Sequence, residues 1–178
     1  MIDPLKLFIA FRNRWQYFAV ALVLFGTDMA SKIAVMKTLP LGIVKSIFPP
    51  FLVFVHIKNP GVVYGIMKNP PAFLKPYFVW IVIIMGIAAS IFLVYLILST
   101  DNKQRLSLIS FMLILGGAFG NIGDRFISKE VTDFISIGLT DTIRFPYIFN
   151  LADTWITCGF VLLIIAVFIL REGDKKKA

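Results

Sequence analysis

The residue types best suited to chemistry lie in GNIGDRFISKEVTDF, residues 120–134, directly after an apolar run. This segment contains three carboxylates, Asp124, Glu130 and Asp133, together with Arg125. Asp133 differs from the others, because VTDFI surrounds it with apolar residues and a threonine. A carboxyl group in apolar surroundings has a raised pKa and is a candidate for proton transfer. The segment therefore suggests acid–base chemistry.

A second candidate carboxylate is Asp153, in FNLAD at the start of the last apolar run. Asn150 and Asp153 also suit a helix N-cap and a first-turn acid, so a purely structural interpretation stays open. If Asp133 and Asp153 lie close together, they cannot both ionise cheaply and would share one proton. Such a pair can hold a water: one carboxylate takes its proton while the other protonates a carbonyl or a leaving amine.

The remaining polar residues beside the apolar runs are interpreted as supports. Asp28 and Lys32 lie four residues apart on one helical face, so they either pair with each other or support the site. Asn121, Asp124 and Arg125 share a face at i, i+3 and i+4. We interpret both charges as structural, an Asp–Arg pair that closes a helix end.

Other kinds of catalytic site are poorly supported. The chain has one histidine, His56, and one cysteine, Cys158. These numbers rule out a multi-histidine metal site, a disulfide framework and a cysteine-rich zinc pattern. They also offer little basis for Ser–His or Cys–His nucleophilic catalysis, so we interpret both residues as structural.

Four apolar stretches are long enough to hold these residues at a membrane. The chain is 58% hydrophobic with a mean hydropathy of +0.86, whereas soluble domains are about 45–50% apolar. A spanning helix needs about 20 apolar residues. The first stretch is expected to be a retained helix rather than a removable signal peptide. We predict one membrane domain over residues 1–178, with spans at about 17–35, 77–98, 106–122 and 152–170 and outer loops at about 36–76 and 123–151.

The basic residues predict the orientation of these spans. Lysine and arginine are dense in the N-terminal segment, in the short connection between the second and third spans, and in the C-terminal tail. Four alternating helices place these segments on one side, which the positive-inside rule makes cytoplasmic. The net charge of +8 is then a topology signal, and we expect no nucleic acid partner. Every acid associated with a span falls near the outer face, and such residues are functional candidates.

The outer loops contain further structure. FLVFVHI, residues 51–57, is rich in aromatic and β-branched residues and lies between Pro49-Pro50 and Asn59-Pro60-Gly61. It predicts a strand followed by a turn. In the second loop, VTDFISIGL and IRFPYIFN fit either a short strand or an interfacial helix.

Five motifs lie along the chain: DMASK (28–32), NPG (59–61), GGAFGNIGDR (116–125), VTDFI (131–135) and FNLAD (149–153). Together they resemble the motifs of the lipoprotein signal peptidases, the bacterial type II signal peptidases, and they occur in the order of that family. Each motif is weak alone, but the set is specific and covers nearly the whole chain.

The resemblance implies a fold and an activity. The fold is four transmembrane helices with a small β-cradle and a short interfacial helix on the outer face of the bacterial inner membrane. The activity is that of an aspartic endopeptidase, which cleaves prolipoproteins just before a cysteine that carries diacylglycerol. No metal or cofactor is implied, the membrane lipid is a partner, and cyclic peptides such as globomycin are inhibitors.

The resemblance also implies roles for individual residues. The catalytic dyad corresponds to Asp133 and Asp153. The positions that support the substrate or the dyad are Asn59, Gly61, Asn121, Arg125, Asn150 and Ala152, and the structural polar positions are Asp28, Lys32 and Asp124.

Two segments depart from the family pattern. PGVVYG, residues 60–65, stands where small residues and Phe or Trp are usual. SKEVTDF, residues 128–134, stands where a glycine followed by Val-Val is commoner. We expect these differences to affect substrate fit.

Two other functions stay open from the residues alone. One is a Mg²⁺-dependent membrane enzyme that acts on lipid phosphates, with the acids as metal ligands. The other is a small transporter or assembly factor, which would need polar residues that continue across the spans, and the predicted mid-spans hold no charged residue. The intramembrane proteases with a GxGD motif do not fit, because GNIGD has one residue too many between its glycines.

We predict that both termini are cytoplasmic, because lysine and arginine are densest in the segments on that side. Reporter fusions at Ala178 and within residues 36–76 should therefore report opposite sides of the membrane. Both reporters on the same side would contradict the arrangement of four spans.

Overall fold

The fold is dominated by four helices. The computed structural model describes residues 4–61, 70–140 and 142–175. The helices are α1 (Pro4–Thr38), α2 (Phe78–Ser99), α3 (Arg105–Ser128) and α4 (Leu151–Lys175). All four contain a segment long and apolar enough to cross a membrane. The mainly helical membrane fold expected from the sequence is confirmed.

The helices extend beyond the apolar windows that predicted them. α1 begins at Pro4 rather than near residue 17, and α3 continues to Ser128 rather than to 122. Hydropathy detects the part of a helix that suits lipid, whereas backbone hydrogen bonding continues into polar sequence. This extension places the polar residues at the end of α3 on a rigid helix.

The end of α3 contains one of the segments that depart from the family pattern. Lys129 follows the helix with φ 65°, a left-handed conformation that favours glycine. Its ammonium lies 4.0 Å from the centroid of the Trp80 ring at the start of α2. This cation–π contact compensates for the unfavourable backbone conformation.

Glycines on α3 let neighbouring helices approach closely, as small residues at helix interfaces in membranes do. A Cβ atom added at Gly116 would lie 2.8 Å from Cβ of Leu24 on α1. One added at Gly117 would overlap the carbonyl oxygen of Ala152 on α4. α3 is therefore packed between α1 and α4, and it also contacts α2.

The outer loops contribute a three-stranded antiparallel sheet. Its strands are β1 (Val44–Phe48), β2 (Leu52–Asn59) and β3 (Val131–Ile137), in the order β1-β2-β3. The strand predicted at 51–57 is confirmed, and VTDFISI forms a strand rather than an interfacial helix. The predicted short interfacial helix does not occur in the described ranges, and residues 62–65 of PGVVYG lie outside them.

The sheet is attached to the end of α1. Phe134 of β3 packs with Val35 and Leu39 in a buried cluster, and Nδ1 of His56 donates a hydrogen bond to the carbonyl of Leu39 at 2.8 Å. The sheet is thus held against the same helix end that carries Lys32.

We predict that Gly117→Ala destabilises the protein by about 1–3 kcal/mol, because its methyl group would overlap the backbone of α4. Gly26→Ala is the matched control: it lies in α1 with no atom within 4 Å of the added methyl group, and alanine favours helix over glycine by about 1 kcal/mol. Thermal unfolding in detergent should show a lower Tm for Gly117→Ala only. Equal Tm values for the two variants would contradict the packing argument.

Candidate functional site

Two buried aspartates meet where β3 faces the first turn of α4. Asp133 is 1% exposed and Asp153 is 8% exposed. Asn150 contacts both: its Nδ2 donates to Oδ1 of Asp133 at 2.6 Å, and its backbone N–H donates to Oδ2 of Asp153 at 3.3 Å. The structure therefore brings together the two aspartates that the sequence pairs.

Asp153 also belongs to the N-terminal cap of α4. Oδ1 of Asn150 accepts the backbone N–H of Asp153 at 2.9 Å, while Asp153 accepts the N–H of Asn150 in return. This reciprocal arrangement is a capping box. The cap interpretation of these residues is confirmed, and the helix N-terminus also favours a negative charge at this carboxylate.

Two further asparagines donate to the dyad. The side-chain oxygen of each accepts a hydrogen bond that fixes the orientation of its amide group. Oδ1 of Asn59 accepts the N–H of Gly61 at 3.0 Å, so that its Nδ2 donates to Oδ2 of Asp133 at 2.8 Å. Oδ1 of Asn121 accepts from Nζ of Lys32 at 3.2 Å, so that its Nδ2 donates to Asp153 at 2.8 Å. Because the N–H and the ammonium can only donate, they determine which end of each amide faces the carboxylate.

The environment of Asp133 favours its protonated form. Burial, followed by the nearby charge of Asp153, raises the pKa of Asp133 from 3.8 to about 7. The hydrogen bonds from Asn59 and Asn150 and the charge of Lys32 oppose this change. At neutral pH, Asp133 is therefore poised between its two protonation states.

Behind the dyad lies a cluster of buried charges. Nζ of Lys32, which is 0% exposed, is 2.8 Å from Oδ2 of Asp28 and 3.5 Å from Oδ2 of Asp124. Asp28 accepts the backbone N–H of Ala152 at 2.9 Å, and Asp124 accepts that of Thr132 at 2.6 Å. The Asp28–Lys32 pair and the link to the site, which the sequence left as alternatives, both exist.

The predicted pair between Asp124 and Arg125 is wrong. Adjacent residues of a helix point in different directions, and Asp124 pairs with Lys32 instead. The guanidinium of Arg125 donates to the carbonyl of Gly61 at 2.7 Å and to that of Asn121 at 3.2 Å. Arg125 thus ties the turn after β2 to the end of α3.

Two apolar clefts open beside Asp153. One, of about 260 Å³, lies between α2, α3 and α4 and reaches both aspartates. The other, of about 240 Å³, lies between α4 and the 137–149 segment and reaches Cys158. Sequence reasoning missed the α2 contribution to the first cleft, although the small residues Gly86 and Ala89 in an apolar helix were a usable signal.

The sequence indicated Ala152 as a supporting position, but it did not predict the backbone donors of the site. The N–H groups of Thr132 and Ala152, each next to an aspartate of the dyad, are fixed by buried carboxylates. Backbone groups carry no signature in the sequence. Within the described ranges, no group of three or more His, Cys, Asp and Glu side chains is arranged to hold a metal ion.

Comparison with known proteins gives one consistent family. The model of the family Signal peptidase (SPase) II matches residues 20–169. The chain is similar to the lipoprotein signal peptidase of Bartonella henselae, with 35% identity over 155 residues, covering 86% of this chain and 90% of that protein. It is also similar to the lipoprotein signal peptidase of Tolumonas auensis, with 32% identity over 163 residues, covering 91% and 94%.

Solved structures agree with this result. A bacterial membrane enzyme determined by the in meso method at 2.3 Å resolution superposes with a TM-score of 0.75 at 26% identity, covering 90% of this chain and 91% of that chain. A second, at 1.9 Å resolution, gives a TM-score of 0.71 at 28% identity, covering 85% and 92%.

We predict that stability falls as the pH rises from about 4 to 7. Because the pKa of Asp133 is raised to about 7, the folded state binds its proton more tightly than the unfolded state, and that advantage is lost as Asp133 ionises. At about 1.4 kcal/mol per pKa unit, the loss is on the order of a few kcal/mol. Asp133→Asn should therefore show a smaller decrease of Tm between pH 4.5 and 7.5.

The matched control is Asp101→Asn, which changes an exposed aspartate in the α2–α3 connection. It should retain the pH dependence of the wild type. If Asp133→Asn retains it too, the protonation of Asp133 is not the source of the effect.

Proposed function

The chain belongs to the signal peptidase II family, and from this premise we propose that Asp133 and Asp153 are its catalytic dyad. The family processes prolipoproteins and consists of aspartic endopeptidases, so this protein is a multi-pass membrane protease with a prolipoprotein substrate. The alternatives of a lipid phosphate enzyme and of a transporter are set aside by this membership.

The observation that carries the proposed dyad is the position of Asn150. It donates to one oxygen of each aspartate, so the two carboxylates face a common space beside the larger apolar cleft. Two carboxylates in that arrangement share a proton more readily than they both ionise.

The two environments suggest which carboxylate holds the proton. Asp153 lies at the N-terminus of α4, where the helix stabilises its ionised form. Asp133 has a pKa raised to about 7 and retains a proton at neutral pH in a substantial fraction of molecules. Asp153 is therefore the general base and Asp133 the general acid.

The reaction then follows from these states. Asp153 takes a proton from a water molecule, whose oxygen attacks the carbonyl carbon of the scissile peptide, while Asp133 donates its proton to the carbonyl oxygen. The proton held by Asp153 next passes to the leaving amine, and the C–N bond breaks. The proton on the carbonyl-derived oxygen returns to Asp133, which restores the starting state.

We further propose that the substrate carries diacylglycerol on the cysteine that follows the scissile bond. Both clefts beside Asp153 are lined mainly by apolar residues, and the surrounding helices suit a bilayer. Acyl chains can therefore remain in the membrane while the peptide bond reaches the dyad. A cyclic peptide such as globomycin would compete for the same clefts.

The proposed setting is the bacterial inner membrane, with both termini cytoplasmic and the dyad near the outer face. The distribution of lysine and arginine supports this orientation. The supporting positions would then lie at the outer membrane surface; they are Asn59, Gly61, Asn121, Arg125 and Ala152.

We predict that Asp133→Asn and Asp153→Asn each reduce cleavage by at least about 10²–10⁴-fold, because asparagine cannot carry the transferred proton. The double variant should be little worse than either single variant, since the two carboxylates act as one unit. The measurement is the release of signal peptide from a diacylglyceryl-modified prolipoprotein by purified protein. Asp101→Asn, which changes an exposed acid away from the site, should cleave normally.

Substantial cleavage by a well-folded single variant would refute the dyad. The same assay tests the rest of the proposal. An unmodified precursor that is cut at a comparable rate would show that the lipid is not recognised. Activity that EDTA abolishes and Mg²⁺ or Zn²⁺ restores would favour a metal-dependent mechanism.

A further inference from the structure

Lys32 is connected to both aspartates of the dyad through three separate groups. Its ammonium contacts the carboxylates of Asp28 and Asp124 and the amide oxygen of Asn121. We propose that Lys32 is a positioning residue, which sets the relative placement of Asp133 and Asp153 from behind the site. This inference rests on the proposed dyad and adds a residue that does not touch it directly.

Two of the connections act on the backbone. Asp28 accepts the N–H of Ala152 at 2.9 Å, and Ala152 directly precedes Asp153. Asp124 accepts the N–H of Thr132 at 2.6 Å, and Thr132 directly precedes Asp133. The ammonium of Lys32 therefore contacts two carboxylates. Each carboxylate accepts a backbone hydrogen bond from the residue that directly precedes an aspartate of the dyad.

The third connection acts on a side chain. Lys32 donates to Oδ1 of Asn121 at 3.2 Å, which leaves Nδ2 of Asn121 to donate to Oδ1 of Asp153 at 2.8 Å. The amide oxygen also accepts from Asn150 at 3.2 Å. Without the ammonium, the amide of Asn121 loses its charged donor, and Asp153 is held less firmly.

Stability alone explains this cluster poorly. Burying charged side chains is costly, and replacing buried ion pairs by apolar residues is often neutral or stabilising. Lys32 is fully buried on α1, whereas its three partners connect it to α3, β3 and α4. Lys32 and its partners therefore specify one relative placement of α1, α3, β3 and α4, which an apolar contact would not do.

The charge of Lys32 also acts on the proton of the dyad. The charged groups around Asp133 are Asp153 of α4, Asp124 and Arg125 of α3, and Asp28 and Lys32 of α1, while Lys58 of β2 donates to the hydroxyl of Thr132. The positive charge of Lys32 lowers the pKa of Asp133. Removing it should therefore move the pH profile of cleavage to higher pH.

The test compares two variants in the full-length enzyme. Lys32→Met removes the ammonium but keeps an unbranched chain of similar length. Because it leaves two buried carboxylates without their cation, it is paired with Lys32→Met/Asp28→Asn, which preserves the net charge and keeps an oxygen that can accept the N–H of Ala152. Lys37→Met, an exposed position on the same helix, is the control and should behave as the wild type.

We expect kcat to fall on the order of 10²-fold in both variants, with KM within about twofold, because small displacements of reacting groups have effects of this size. The pH profile should shift upward in Lys32→Met. It should shift less in the double variant, in which the lost positive and negative charges offset each other. Thermal unfolding and the yield of folded protein are measured alongside, so that rates are expressed per folded molecule.

Wild-type kcat per folded molecule in either variant would overturn the inference, even if the yield of folded protein is reduced, since that result is expected of a purely structural lysine. The proposed dyad fails by a different result, namely activity in well-folded Asp133→Asn or Asp153→Asn. An inactive dyad variant together with a fully active Lys32 variant would leave the dyad standing and remove only the positioning role.

Discussion

The structure depends on neutralising buried charge where the helices leave the apolar region. Four carboxylates lie there with little solvent exposure, and within the described chain the cations buried among them are Lys32 and Arg125. Isolated buried charges are costly, so the cluster requires both cations and a shared proton. With four negative charges, two positive charges and one proton, the cluster retains a single negative charge, which is the charge that the proposed general base needs.

This arrangement is possible only because the helices approach closely. The glycine at 120 leaves room for the carboxylate of Asp28 and for the methyl group of Ala152, so α1, α3 and α4 meet at one point. A larger side chain there would separate Asn121 from Asp153 and Asp28 from its backbone partner. The small residues of α3 are therefore as important to the site as its polar residues, although they carry no chemistry themselves.

Much of this was predictable from the sequence, and the remainder has physical reasons. The spans follow from hydropathy, the strand at 51–57 from its residue types, and the pairing of Asp133 with Asp153 from their places at the same outer loop. The contact between Asn59 and Asp133 joins residues 74 positions apart, through a strand pairing whose register shifts between Phe54 and Ile57. The partner of Asp124 was mispredicted because sequence adjacency does not imply that two helical side chains meet.

The use of asparagines as the direct partners of the dyad has a chemical reason. A lysine or arginine in contact with Asp133 would favour its ionised form strongly and would remove the proton that Asp133 must donate in the proposed mechanism. An amide NH₂ group donates a hydrogen bond without adding a charge, so it orients the carboxylate with a smaller effect on its protonation. The cationic Lys32 does not contact the dyad directly; it donates to Asn121, which in turn donates to Asp153. The site thus separates two requirements: neutral donors orient the carboxylates, and a more distant charge balances the cluster.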